Sequence, residues 1–122
     1  MRIWLFLAAI SGFLAVGLGA FAAHGLQGRL DAKALGWIDT GLRYQMFHAL
    51  AFIGVALLSR DGTQLALQIA GWSFAVGTLL FCGLLYAMAL GAPRWLGAVV
   101  PLGGLAFLGG WVALAWFAMR LR

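Results

Sequence analysis

LGAVVPLGGLAFLGGWVALAWFAM, residues 96–119, contains no Asp, Glu, Lys or Arg. About 20 apolar residues in a helix cross roughly 30 Å of hydrocarbon, so this run is long enough to span a bilayer. Ile3–Ala23 and Leu65–Leu90 are runs of the same kind. Tyr44–Leu58 is apolar but short, so its helix is expected to start upstream near Asp39 or Thr40 and to carry Arg43 at headgroup level. The reading is an all-α membrane protein: one domain over 1–122, a four-transmembrane-helix bundle with spans at about 3–23, 41–58, 65–90 and 96–119.

Composition agrees. Hydrophobic residues make up 65% of the chain and charged residues 9%, against about half and a quarter in a soluble domain. A water-soluble chain of this length has too much surface for its volume to hide so much apolar area. Eight Lys and Arg against three Asp give a net charge of +5. The basic residues sit singly at the edges of apolar runs, as cations at the ends of membrane helices do, so no nucleic-acid partner is expected. Membrane lipids are the expected surroundings, and a homo-oligomer or a membrane-protein partner is left open. Cys82 stands alone, which excludes an internal disulfide and any multi-cysteine metal site. Met1-Arg2 ahead of an apolar run, with Ala20-Phe21-Ala22 behind, has the outline of a signal peptide. The run exceeds the usual signal core of about 7–15 residues, and it reads as an uncleaved first helix.

The long connection, His24 to Arg43, places Leu30, Ala34, Ile38 and Leu42 every four residues. That spacing predicts a short amphipathic helix over about 31–39, lying in the interface. Asp31 is placed to cap it, and Asp39 and Arg43 form a favourable i,i+4 pair. The other connections are tight: Ser59–Gln64 with Asp61-Gly62, and Gly91–Trp95 with Pro93. Small residues mark where helices approach in lipid: Ser11, Ala15, Gly19 and Ala23; Gly71 and Ala75; Gly83, Ala87 and Gly91; and the glycines of residues 96–119. Those faces serve packing inside one bundle or between subunits. Trp4, Trp37, Trp95 and Trp116 fall near expected interfaces and read as aromatic belts. Orientation is not fixed, because Arg2, Arg60, Arg120 and Arg122 on one side balance Arg29, Lys33, Arg43 and Arg94 on the other.

Topology then makes a sharper statement. His24 closes the first span, Arg43, Tyr44, Gln45 and His48 open the second, Thr78, Cys82 and Tyr86 lie on the last turns of the third, and Pro101 stands early in the fourth. All fall in one half of the bilayer. An unpaired polar group in hydrocarbon costs several kcal/mol, so these groups should turn inward and meet in a polar pocket beneath a basic rim. Two readings stay open: interhelical hydrogen bonds that fix the packing, or a ligand or proton path. No carboxylate or second cysteine accompanies the two histidines, so neither a metal nor a cofactor is expected. Cys82 in an apolar helix is an inert thiol, and no enzyme activity is expected.

Three motifs carry a family resemblance. Gly17-Leu18-Gly19-Ala20-Phe21-Ala22-Ala23-His24-Gly25-Leu26 resembles a signature of the DUF423 family of small bacterial inner-membrane proteins. Thr40-Gly41-Leu42-Arg43-Tyr44-Gln45-Met46-Phe47-His48-Ala49-Leu50 is similar to its second signature, and Pro101-Leu102-Gly103-Gly104-Leu105-Ala106-Phe107 with Gly110-Trp111 to its third. The resemblance covers essentially the whole chain, in order. It departs at Cys82 and Leu84, where relatives carry Ser, and at Val100, where they carry Thr. It implies a multi-pass protein of the inner membrane and brings no activity. The residues alone lead to an expected non-enzymatic membrane protein whose pocket binds a small anionic ligand or lipid headgroup. The alternatives are a scaffold packing against other membrane proteins, or a proton or small-solute pathway in an oligomer.

Overall fold

The structure, a computed structural model, describes residues 1–62 and 64–121. Thr63 in the Ser59–Gln64 connection and Arg122 of the basic tally lie outside the described residues. Helix α1 (Arg2–Phe21) continues into a π-helical stretch, Ala22–Leu26; α2 covers Ala32–Leu58. Helix α3 (Leu65–Gly77), a π-helical stretch at Thr78–Gly83 and α4 (Leu84–Ala89) form one continuous rod. A 3-10 segment, Arg94–Ala98, leads into α5 (Val100–Met119). Among the described residues, four helices are therefore long and apolar enough to cross a membrane: Arg2–Leu26, Ala32–Leu58, Leu65–Ala89 and Arg94–Met119.

The expected interfacial helix over 31–39 is not a separate element. Asp31 does cap it, Oδ1 accepting from the Ala34 N–H at 2.8 Å, and Asp39 pairs with Arg43 at 3.0 Å. The helix then runs on without a break to Leu58. The reason is phase. Ala34, Ile38, Gly41, Gln45, His48, Phe52 and Val55 are all buried, a single stripe at helical spacing, so the amphipathic turns and the span bury the same face. No proline interrupts them. Ala34 and Ile38 pack on Leu26 and Ala89 at the ends of the neighbouring spans. At 1.5 Å per residue α2 is about 40 Å long, so its first turns stand beyond the hydrocarbon.

Helix α1 packs chiefly on α2 through Trp4, Ala8, Ser11 and Ala15. Here one expectation is overturned: Trp4 is no interfacial belt residue. It is 1% exposed. Its ring stacks on Phe52 at 6.3 Å and meets Trp72 edge-on at 5.1 Å. Gly71 makes the room, since a Cβ there would stand 2.6 Å from the indole. A ring that finds a hole opposite it is held by packing rather than by the headgroup layer.

The third span sits centrally. α2 packs on α4 and the Thr78–Gly83 stretch, and α3 with that same stretch packs on α5. The α3–α5 contact is reciprocal: Phe107 of α5 fills the space above Gly77, and Phe74 of α3 fills that above Gly110. Gly103 lies directly against the backbone of Leu80 and Phe81. Small residues thus let backbones meet inside this bundle, as lipid-embedded helices require. Gly83, by contrast, makes no close interhelical approach: a Cβ there would meet the Thr78 carbonyl oxygen of its own span at 3.9 Å. Where α3 passes into the π-helical turns, the Thr78 hydroxyl donates to the Phe74 carbonyl at 2.8 Å, supplying a donor where the regular ladder changes. Pro101 stands in the first turn of α5, where its missing N–H removes no helical bond.

Candidate functional site

α2 and α5 both lean on the third span, and a groove remains between them. It has a volume of about 760 Å³, and Phe47, Leu105 and Leu108 on its walls are exposed on the apolar outer surface of the spans. From α2 come Arg43, Tyr44, Phe47 and His48; from the π-helical stretch comes Phe81. From α5 come Pro101, Gly104, Leu105, Phe107, Leu108 and Trp111. Apart from Arg43 at one end the walls are aromatic and aliphatic.

His48 is the fixed point of this wall, and it is 3% exposed. Its Nδ1 lies 2.8 Å from the Tyr44 carbonyl, and its Nε2 lies 3.1 Å from the Trp111 indole nitrogen. An indole N–H only donates, so Nε2 must be the acceptor. Nδ1 then carries the proton and donates to Tyr44. The tautomer follows from that pairing. The ring also stacks on Phe107 at 3.7 Å and 12°. Both nitrogens are engaged, and no lone pair remains for a metal or haem. Among the described residues no three His, Cys, Asp or Glu side chains come together.

Of the expected site residues, Arg43, Tyr44, His48 and Pro101 meet in the groove. Gln45, Cys82 and Tyr86 do not line it. Neighbouring residues on a helix point about 100° apart, so Gln45 turns away from the Tyr44–His48 face. Its Nε2 donates to the Ser11 carbonyl at 2.8 Å, and its Oε1 accepts from the Tyr86 hydroxyl at 2.7 Å. That cross-link ties α1, α2 and α4 together and is packing. Tyr86→Phe is expected to lower stability by about 0.6 kcal/mol and at most roughly 1.7, the range for hydrogen bonds between membrane helices. Reversible unfolding in mixed micelles measures it. Cys82 is wholly buried in the main core. His24, on the π-helical end of the first span, is exposed and donates to no partner among the described residues.

Sequence reasoning missed Trp111, Phe107 and Phe74 as partners of His48. A signal existed for Trp111: an indole well inside an apolar span has an N–H that must find an acceptor.

Comparison with known proteins agrees with this picture of the chain. The family model "Protein of unknown function (DUF423)" matches residues 18–104, which holds α2 and the start of α5. A "UPF0382 membrane protein" of Haemophilus influenzae is 52% identical over 120 residues, covering 98% of this chain and 95% of its own. The "UPF0382 inner membrane protein YgdD" of Escherichia coli K12 is 44% identical over 121 residues, covering 99% and 92%. The "UPF0382 membrane protein YwdK" of Bacillus subtilis is 40% identical over 121 residues, covering 98% of each chain. No solved structure matches. With a family model over most of its length and relatives of this identity along nearly all of it, the chain belongs to the DUF423 family, as a multi-pass helical membrane protein.

Proposed function

We propose that this is a non-enzymatic lipid-binding protein of the inner membrane, in which the α2–α5 groove holds the acyl chain of an anionic amphiphile. The observation that carries the reading is the groove itself: 760 Å³, walled by aromatic rings and leucines, open to the bilayer, with a cation at one end only. A site for a soluble ligand would present convergent polar groups. Here the two polar groups at depth, His48 and Trp111, bond to each other. An acyl chain needs no hydrogen bonds and is present at bilayer concentration. Arg43 is 77% exposed and meets Asp39 through Nε. Its terminal N–H groups are left for a headgroup oxygen. The name of the Escherichia coli relative supports the inner-membrane placement.

A scaffold role has less support, because Gly41, Gly71, Gly77, Gly103 and Gly110, the closest glycines, serve contacts within the chain. A proton path through His48 lacks a free ring nitrogen.

Gly104→Phe tests the proposal. A Cβ at Gly104 meets nothing closer than the Phe81 ring at 3.9 Å, so the new ring enters the groove without disturbing the backbone. Native mass spectrometry of the protein released from mild detergent should show a lipid-sized adduct on the wild type and loss of most of it on the variant. Equal adducts on both would end the acyl-chain reading. A protein-sized adduct in place of a lipid would favour the scaffold.

A further inference from the structure

A second cluster lies at the membrane surface, away from Arg43 and the groove. Lys33, in the first turn of α2, holds its Nζ 5.7 Å from the centroid of the Trp37 ring. Arg94, at the start of the 3-10 segment, holds its guanidinium carbon 5.8 Å from the same ring. An aromatic ring attracts cations, and with both within 6 Å of one centroid positive charge is concentrated around Trp37. Asp31 and Asp39 are the carboxylates of this part of the chain. Asp31 accepts from the Ala34 N–H at 2.8 Å and Asp39 pairs with Arg43 at 3.0 Å. Arg29 lines an adjoining hollow with Arg94 and Asp31, so the basic side chains outnumber the acidic ones here. Among the described residues the Trp37 indole N–H has no acceptor.

These three side chains rim a cavity of 360 Å³ whose floor is Leu85, Met88, Gly97 and Val100. Charge and an indole donor stand at the mouth; apolar side chains lie beneath. We infer that the Lys33–Trp37–Arg94 cluster binds the headgroup phosphate of an anionic phospholipid, as a site separate from the α2–α5 groove. The two cations and the indole N–H match phosphate oxygens. The apolar floor suits the glycerol and the first chain carbons, and it gives a free phosphate ion nothing to rest on. That division between rim and floor selects a lipid over a soluble anion.

Indole N–H resonances of the full-length 15N-labelled chain in non-ionic maltoside micelles test it site by site, with Trp37 assigned through Trp37→Phe. Dihexanoyl phosphatidylglycerol should shift the Trp37 signal saturably. Dihexanoyl phosphatidylcholine and glycerol phosphate at the same concentrations should leave it in place. Lys33→Ala/Arg94→Ala should weaken the phosphatidylglycerol response about 30-fold, while Lys33→Arg/Arg94→Lys, which keeps both charges, should retain it. An equal response to phosphatidylcholine, or one that survives the loss of both cations, overturns the inference. A response to glycerol phosphate as strong as to the lipid makes this a soluble-anion site and overturns its lipid part. The Trp111 signal reports the α2–α5 groove in the same spectrum, so either site can fail without the other.

Discussion

Gly103→Ala lowers stability by about 1–3 kcal/mol, the cost of forcing extra volume into a packed contact. The new methyl would be driven into the Phe81 backbone nitrogen and the Leu80 carbonyl carbon, and neither can rotate aside as a side-chain tip does. That contact joins α5 to the π-helical stretch of the third span, so relieving it means moving one helix off the other. Gly104, the next residue, is the control. Its nearest neighbour is a ring edge at 3.9 Å, ordinary contact distance, and Gly104→Ala should be close to neutral. Unfolding of both variants in mixed micelles, compared with the wild type, measures the difference. Equal effects at the two positions would mean that α5 does not meet the third span along Gly103.

His48→Ala should cost roughly 2–5 kcal/mol, the range for truncating a large buried side chain. Three losses combine. The stack on Phe107 at 3.7 Å disappears, an aromatic contact worth about 0.5–1.5 kcal/mol beyond its area. The Trp111 N–H loses its acceptor within a span, where an unsatisfied donor is costly. A void then opens between α2 and α5. Trp111→Phe separates these contributions, since it removes the hydrogen bond and keeps a ring in place. It should cost about 0.6 kcal/mol and no more than roughly 1.7. A His48→Ala variant as stable as the wild type would mean that this ring is not part of the packing.

The spans were legible because absence of charge over such lengths has one physical outcome in a chain this small. Residues 96–119 and 65–90 read as helices from composition alone, and the observed helices end within a few residues of those limits. Local features were legible too. The Asp31 cap and the Asp39–Arg43 pair depend on residues three and four apart, and both formed. What the sequence did not reveal depends on phase between distant helices. Gln45 and His48 both looked inward-facing, yet one meets α1 and α4 while the other meets α5. Choosing between those faces requires knowing which helix lies on which side. The π-helical stretch at Thr78–Gly83 had no local signature to announce it. Trp4 read as a belt residue from its position near a chain end, because Gly71, the hole that receives it, lies in a different span. The polar residues expected to meet in one pocket divide instead into a buried cross-link and a largely apolar groove.

That division shapes the functional account. A polar pocket would have favoured a small soluble anion; a groove of rings and leucines favours a chain of methylenes. In the binding modes proposed here, the cations set the headgroup end: Arg43 for the groove, Lys33 and Arg94 for the surface cluster.

Intermolecular nuclear Overhauser effects between the acyl chain of a bound lipid and the protein's side chains would show whether the α2–α5 groove holds that chain. Cross-peaks from chain methylenes to the Trp111 ring and the Leu108 methyls are expected, and they should be lost in Gly104→Phe. Phe13 and Val16, on the exposed face of α1, should show only the weak contacts of bulk detergent. Cross-peaks of equal strength at all exposed side chains, unchanged in Gly104→Phe, would contradict it: the groove would then be ordinary lipid-facing surface.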